Sequence, residues 1–198
     1  MFRLASLVAC AAIPLAAGSL TQKERETLLL HFDRSAKNLR LALNGVSEKQ
    51  WTYKPSADAW SIAECAEHIV TTDQMMFVFV KEKMMNMPAA GPNVKRESDE
   101  SVLASAVDRS KKVKTMEFLE PKARYPGPAA VLESFSKNVA QILDYVTTTQ
   151  DDLRAHGAPT PGGAFRDAYQ YLLSLAGHIE RHTAQIAEVK SSASYPKN

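Results

Sequence analysis

Four stretches of this chain carry apolar residues at intervals of three and four, and this periodicity constrains the fold more than any other feature. Such spacing places the apolar groups on one stripe of an α-helix, which must then be buried against another element. The first stripe is Leu28, Phe32, Ser35, Leu39 and Ala42. It follows a capping-box pattern, Thr21-Gln22-Lys23-Glu24, and stops near Gly45. A second capping box, Ser61-Ile62-Ala63-Glu64, opens a stripe of Cys65, His68/Ile69, Thr72, Met76, Phe79 and Lys83. The third stripe is Leu132, Phe135, Val139, Ile142 and Val146, ending before Thr147, with Pro128 suited to a first helical turn. The fourth runs from about Asp167 to Lys190 along Ala168, Tyr171, Leu175, His178, His182, Ile186 and Val189. No stretch sustains period-two alternation, and Gly157 to Gly163 reads as a loop. The expectation is an all-α, antiparallel four-helix bundle with a long crossover between helices two and three. Ser98 to Ser110 would form a short helix within that crossover. The Val46 to Ala59 loop, with Trp51, Tyr53 and Trp60 as anchors, would roof one bundle end.

The 198 residues are 45% hydrophobic, enough apolar surface to offset the entropy of ordering, which excludes a disordered chain. Two cysteines, Cys10 and Cys65, exclude a disulfide scaffold. The 24 basic and 22 acidic residues form no block of like charge, so no nucleic acid partner is expected. Arg3 followed by the apolar run Leu4 to Ala17, with small residues at Ala16 and Gly18, reads as an export signal cleaved before Ser19. The expected division is a signal peptide over 1–18 and a bundle domain over 19–198, in a periplasmic or secreted protein. The apolar run is shorter than the roughly 20 residues of a spanning helix. Retention as an uncleaved membrane anchor is the alternative. No integral membrane span is expected in the mature chain.

Three of the five histidines lie on inward stripes. His178 and His182, four residues apart, project from one helix face about 6 Å apart along the axis. His68 lies on the inward stripe of the second helix. A buried imidazole needs partners for both nitrogens. A shared divalent metal would satisfy three at once, leaving an open position for water or substrate. The alternative is three core histidines, each bonded to a carbonyl. Two metal motifs are excluded. A zincin helix needs His-Glu-x-x-His, whereas this stretch reads His178-Ile179-Glu180-Arg181-His182 and turns Glu180 to the opposite side. A ferritin-like di-iron bundle needs Glu-x-x-His pairs, and the chain contains none. Phosphate-binding Gly-rich loops and a Gly-x-Ser-x-Gly elbow are also missing.

Trp60-Ser61-Ile62-Ala63-Glu64-Cys65-Ala66-Glu67-His68-Ile69 resembles the "W-S-x-x-E-x-x-x-H" helix start of the DinB-like family. Gly177-His178-Ile179-Glu180-Arg181-His182-Thr183-Ala184-Gln185-Ile186 resembles that family's closing "H-x-x-R-H-x-x-Q-I" segment. The resemblance spans roughly Thr21 to Lys190. It implies a four-helix bundle in which His68, His178 and His182 bind one divalent metal, with Zn, Ni or Fe as candidates. It further implies a metal-dependent hydrolase or thiol transferase acting on a small molecule. A non-catalytic binding or stress-response module, its metal structural or absent, is the alternative. Lesser candidates are Glu64 and Gln185 beside the site, Tyr171 lining a pocket, and Cys65 as a nucleophile. Met75, Met76, Met84, Met85 and Met87 would fill irregular packing or a homodimer surface.

Overall fold

The structure, a computed structural model, describes residues 18–110 and 114–197. The stretch 1–17, read above as an export signal, lies outside those residues. Four long helices form the bundle: α1 (Gln22–Leu43), α3 (Ile62–Val78), α5 (Pro128–Thr148) and α6 (Ala168–Lys190). Each of α1 and α3 packs against both α5 and α6. The stripes predicted from spacing point inward and supply the core. Leu28, Phe32, Ile69, Phe135, Ile142, Leu172 and Ile186 are fully buried. Two capping boxes fix the helix starts that the sequence indicated. Glu24 N–H donates to Thr21 Oγ1 at 3.2 Å, while the Glu24 carboxylate accepts from Thr21 N at 2.8 Å. Ser61 and Glu64 repeat the exchange at 3.2 and 2.7 Å. No helix among the described residues is long and apolar enough to cross a membrane.

The structure corrects the sequence reading in four places. The Val46 to Ala59 loop contains a short helix, α2 (Glu48–Thr52), and its Trp51 is core, 2% exposed, rather than a roof. The second long helix changes winding after Val78. A π-helical turn, Phe79–Lys83, and a 3-10 turn, Met84–Asn86, follow it. One extra residue per turn rotates the later side chains. Val80 and Met84 therefore take buried positions, and Lys83, expected on the inward stripe, is exposed. The third long helix runs two residues past the predicted end, to Thr148. The supposed loop after Gly157 is a hairpin of β1 (Gly157–Pro159) and β2 (Phe165–Asp167), paired antiparallel with Ala158 opposite Arg166. Its turn closes through Thr160 N–H to Ala164 O at 2.7 Å, with Gly163 at φ +83°, a conformation that favours glycine. Strands of three residues are too short to display alternation.

The crossover holds the expected short helix, α4 (Asp99–Val107), which lies along α6. Its close approach depends on Gly177: a Cβ there would come within 2.7 Å of Ala106 Cβ. After α4 the chain returns through a 3-10 turn, Glu117–Leu119, that packs on α3. Both ends of α4's return path therefore meet the helices that carry the inward histidines.

Candidate metal centre

His68 lies in the first half of α3, and His178 and His182 lie one turn apart on α6. The bundle brings one ring nitrogen of each to within 4.8 Å of the other two. The ring centroids are 5.1 Å apart for His68 and His178, 4.7 Å for His68 and His182, and 4.5 Å for His178 and His182. Helix spacing could not show how deep His68 lies relative to the pair on α6; the packing of α3 on α6 sets the two at one level.

Donor and acceptor bookkeeping fixes the protonation of each ring. His68 Nδ1 lies 3.1 Å from Leu119 O, and a carbonyl only accepts, so Nδ1 carries the hydrogen and Nε2 a lone pair. His178 Nε2 lies 3.2 Å from that lone pair and donates to it in this arrangement. This leaves His178 Nδ1 buried with no hydrogen-bond partner among the described residues. Ligating a cation through His178 Nε2 would require its hydrogen to move to Nδ1. His182 Nδ1 donates to Gln185 Oε1 at 2.9 Å, so its Nε2 also holds a lone pair. Burial depresses all three imidazoles. For His178 it is reinforced by His182 and His68, and for His182 by His68, bringing that ring down to about 3. The rings are consequently neutral near pH 7, the state in which imidazole coordinates a cation. Trp60 stands over the cluster, its ring 4.9 Å from His68 and stacked on His182 at 5.9 Å and 27°. The roof expected from the preceding loop is therefore supplied by this one residue.

The neighbouring polar groups hold this arrangement in place. Glu67, 2% exposed, turns away from the cluster. Its carboxylate accepts from the backbone N–H groups of Lys122 at 2.7 Å and Arg124 at 2.9 Å, and pairs with the Arg124 guanidinium at 2.7 Å. These bonds anchor the stretch just beyond Leu119, whose carbonyl orients His68. Arg109, just beyond α4, grips Glu188 through two contacts of 2.6 Å and also reaches Gln185 Oε1 at 3.3 Å. Glu64 caps α3 and pairs with Lys54 at 2.9 Å, so it belongs to the helix start. Cys65 is fully buried, and burial pushes its thiol far up, which removes it as a nucleophile. Tyr171 bonds Pro159 O at 3.1 Å and packs edge-on to Phe79, away from the imidazoles. His156 bonds Met87 O at 2.8 Å. Leu119, Glu67 and Arg109 escaped the sequence reading. A carbonyl has no residue type, and Arg109 is 76 positions from Gln185.

These residues suit a divalent cation: the set is all nitrogen, neutral, and oriented from behind by acceptors on His68 and His182. Among the described residues, no carboxylate or thiolate joins the three. The sequence pattern that describes the DinB superfamily matches residues 31–186. The chain belongs to the DinB superfamily. A relative from Bacillus subtilis (strain 168), the uncharacterized protein YuaE, is 25% identical over 148 residues, covering 75% of this chain and 88% of its own. A solved DinB-like structure, YfiT from Bacillus subtilis, superposes with a TM-score of 0.58 at 13% identity, covering 90% of this chain and 92% of its own. It is described as a probable metal-dependent hydrolase with an unusual four-helix bundle topology. At that identity the likeness establishes a shared fold.

Proposed function

We propose that His68, His178 and His182 hold one divalent cation and that the protein is a metal-dependent hydrolase acting on a small molecule. The reading rests on one observation above all: three neutral imidazoles converge without a fourth protein ligand among the described residues. A closed structural site has four protein ligands, whereas a catalytic site keeps a position free. A cation bound there supplies Lewis acidity, which brings a water or thiol to its nucleophilic form near neutral pH. The chain's own residues supply position and exclusion of water. Leu119 O and Gln185 Oε1 hold the outer nitrogens of His68 and His182, and Trp60 covers two rings with apolar surface. Membership of the DinB superfamily and the fold shared with YfiT support the same reading. The N-terminal sequence supports export, so the work would be done outside the cytoplasm.

Elemental analysis of the purified protein tests the ligand set. Wild type is expected to carry about one zinc, nickel or iron per chain, and His178→Ala and His182→Ala to lose it. Stoichiometric metal in both variants would refute the assignment. A panel of ester and amide substrates, run beside thiol-adduct transfer, tests the chemistry. Turnover of an ester or amide that chelation abolishes is expected; turnover indifferent to chelation rules out the metal mechanism. A chelation-sensitive thiol transfer with no hydrolysis would reassign the reaction while leaving the site. N-terminal sequencing of the cell-envelope or secreted fraction, expected to begin at Ser19, tests the export reading.

A further inference from the structure

An amide side chain can present either its oxygen or its NH2 to a neighbour, and at Gln185 that choice decides whether His182 has a lone pair to offer. Gln185 Oε1 lies 2.9 Å from His182 Nδ1 and 3.3 Å from Arg109 Nη1. A guanidinium has five N–H donors and no acceptor, and it stays charged in proteins. Only the oxygen of Gln185 can face it. Arg109 is itself held flat by both oxygens of Glu188 at 2.6 Å each. The polarity of the chain Glu188–Arg109–Gln185–His182 is therefore fixed at every link, and its last link makes Nδ1 the protonated nitrogen of His182. If the amide turned over, its NH2 would donate to Nδ1. The hydrogen of a neutral ring would then move to Nε2, removing the lone pair that Nε2 otherwise holds.

We infer that Arg109 is a positioning residue that locks the orientation of the Gln185 amide and so the tautomer in which His182 can ligate a cation. This rests on the metal reading above, and it assigns a role to a residue outside both motifs. Its source is the crossover: α4 reaches α6 because residue 177 lacks a side chain, and Arg109 follows two residues after α4 ends. The same crossover supplies the carbonyl on His68. Two of the three rings thus take their orientation from one connection.

The full-length chain is titrated with Zn2+ against a chromophoric chelator, and the ring nitrogens of His182 are followed by 15N NMR in the metal-free protein. Wild type is expected to show hydrogen on Nδ1. Arg109→Met is expected to weaken zinc roughly tenfold or more, the usual effect of losing an outer partner, and to move His182 toward the Nε2–H form. Adding Gln185→Glu to Arg109→Met is expected to restore both, because a carboxylate has no donor end to misplace. A purely structural role for Arg109 would not be rescued in this way. Unchanged zinc affinity in Arg109→Met, a double variant that stays weak, or an Nε2–H ring in the wild type would each overturn the inference. Wild type that takes up no zinc, or His178→Ala that keeps it, would instead sink the metal reading, and the NMR arm would still decide the tautomer.

Discussion

The carboxyl group of Asp73 is fully buried on α3, and neither oxygen has a hydrogen-bond partner among the described residues. Burial raises its pKa well above the ordinary carboxylate range. The folded protein then keeps a proton that the unfolded chain releases near pH 4. Because the native state binds more protons above that point, stability falls as pH rises from about 4 to the folded-state value, by about 1.4 kcal/mol per unit. Asp73→Asn removes the group from this linkage. Urea midpoints of wild type and variant, compared from pH 5 to pH 9, are expected to show wild type losing ground steadily as pH rises. A constant difference would mean that the carboxyl finds a partner when ionised. Asp73 sits four positions after Ile69 and three before Met76, both on the inward stripe, yet the sequence reading passed over it. His68, His178 and His182 were legible because a polar ring broke an apolar period. Thr72 and Asp73 are adjacent polar residues, and spacing alone does not tell which of the two is the more deeply buried.

The long helices were legible from their apolar period, reinforced by a capping box for α1 and α3 and by a first-turn proline for α5. The change of winding at Phe79 was not, since a π turn alters hydrogen bonding without a dedicated residue type. Nor was the approach of α4 to α6, which depends on what a glycine lacks. Gly177→Ala would place a methyl group 2.7 Å from Ala106 Cβ and 3.3 Å from Leu103 Cδ1. Alanine gains roughly 1 kcal/mol of helix propensity over glycine, yet overpacking costs typically 1–3 kcal/mol. The collision wins. Thermal unfolding of Gly177→Ala is expected to show a net loss of about 1 kcal/mol. Combining it with Ala106→Gly should prove less damaging than the sum of the two single changes, since the pair share one contact. Strict additivity would show that α4 and α6 adjust independently. Zinc affinity should fall with stability, because α4 carries the chain to Arg109.

Across the molecule, three helix beginnings meet at Arg154. Its guanidinium pairs with Glu24 of α1 at 2.7 Å, with Asp99 of α4, and with Asp167, the cap of α6, at 3.2 Å, and it stacks on Tyr169 at 3.8 Å. Asp167 is 2% exposed, so Arg154→Met would leave a buried carboxylate short of its countercharge. Arg154 keeps a third of its side chain in water, which screens part of the loss. A destabilisation on the order of 2–3 kcal/mol is expected in urea unfolding, largely relieved by adding Asp167→Asn. Loss of under 0.5 kcal/mol would reduce the cluster to surface decoration. Arg154 escaped the sequence reading, because a hub that joins positions 24, 99 and 167 has no local pattern.

The imidazole trio is assembled from residue 68 and the final helix, 110 positions later. During synthesis, any nascent fragment that ends before residue 178 owns a single donor of the three and has no partner ring to share an ion with. On the proposed reading, a cation that needs all three rings could be held only after α6 has been made, so a loaded centre would report that α3 and α6 have come together.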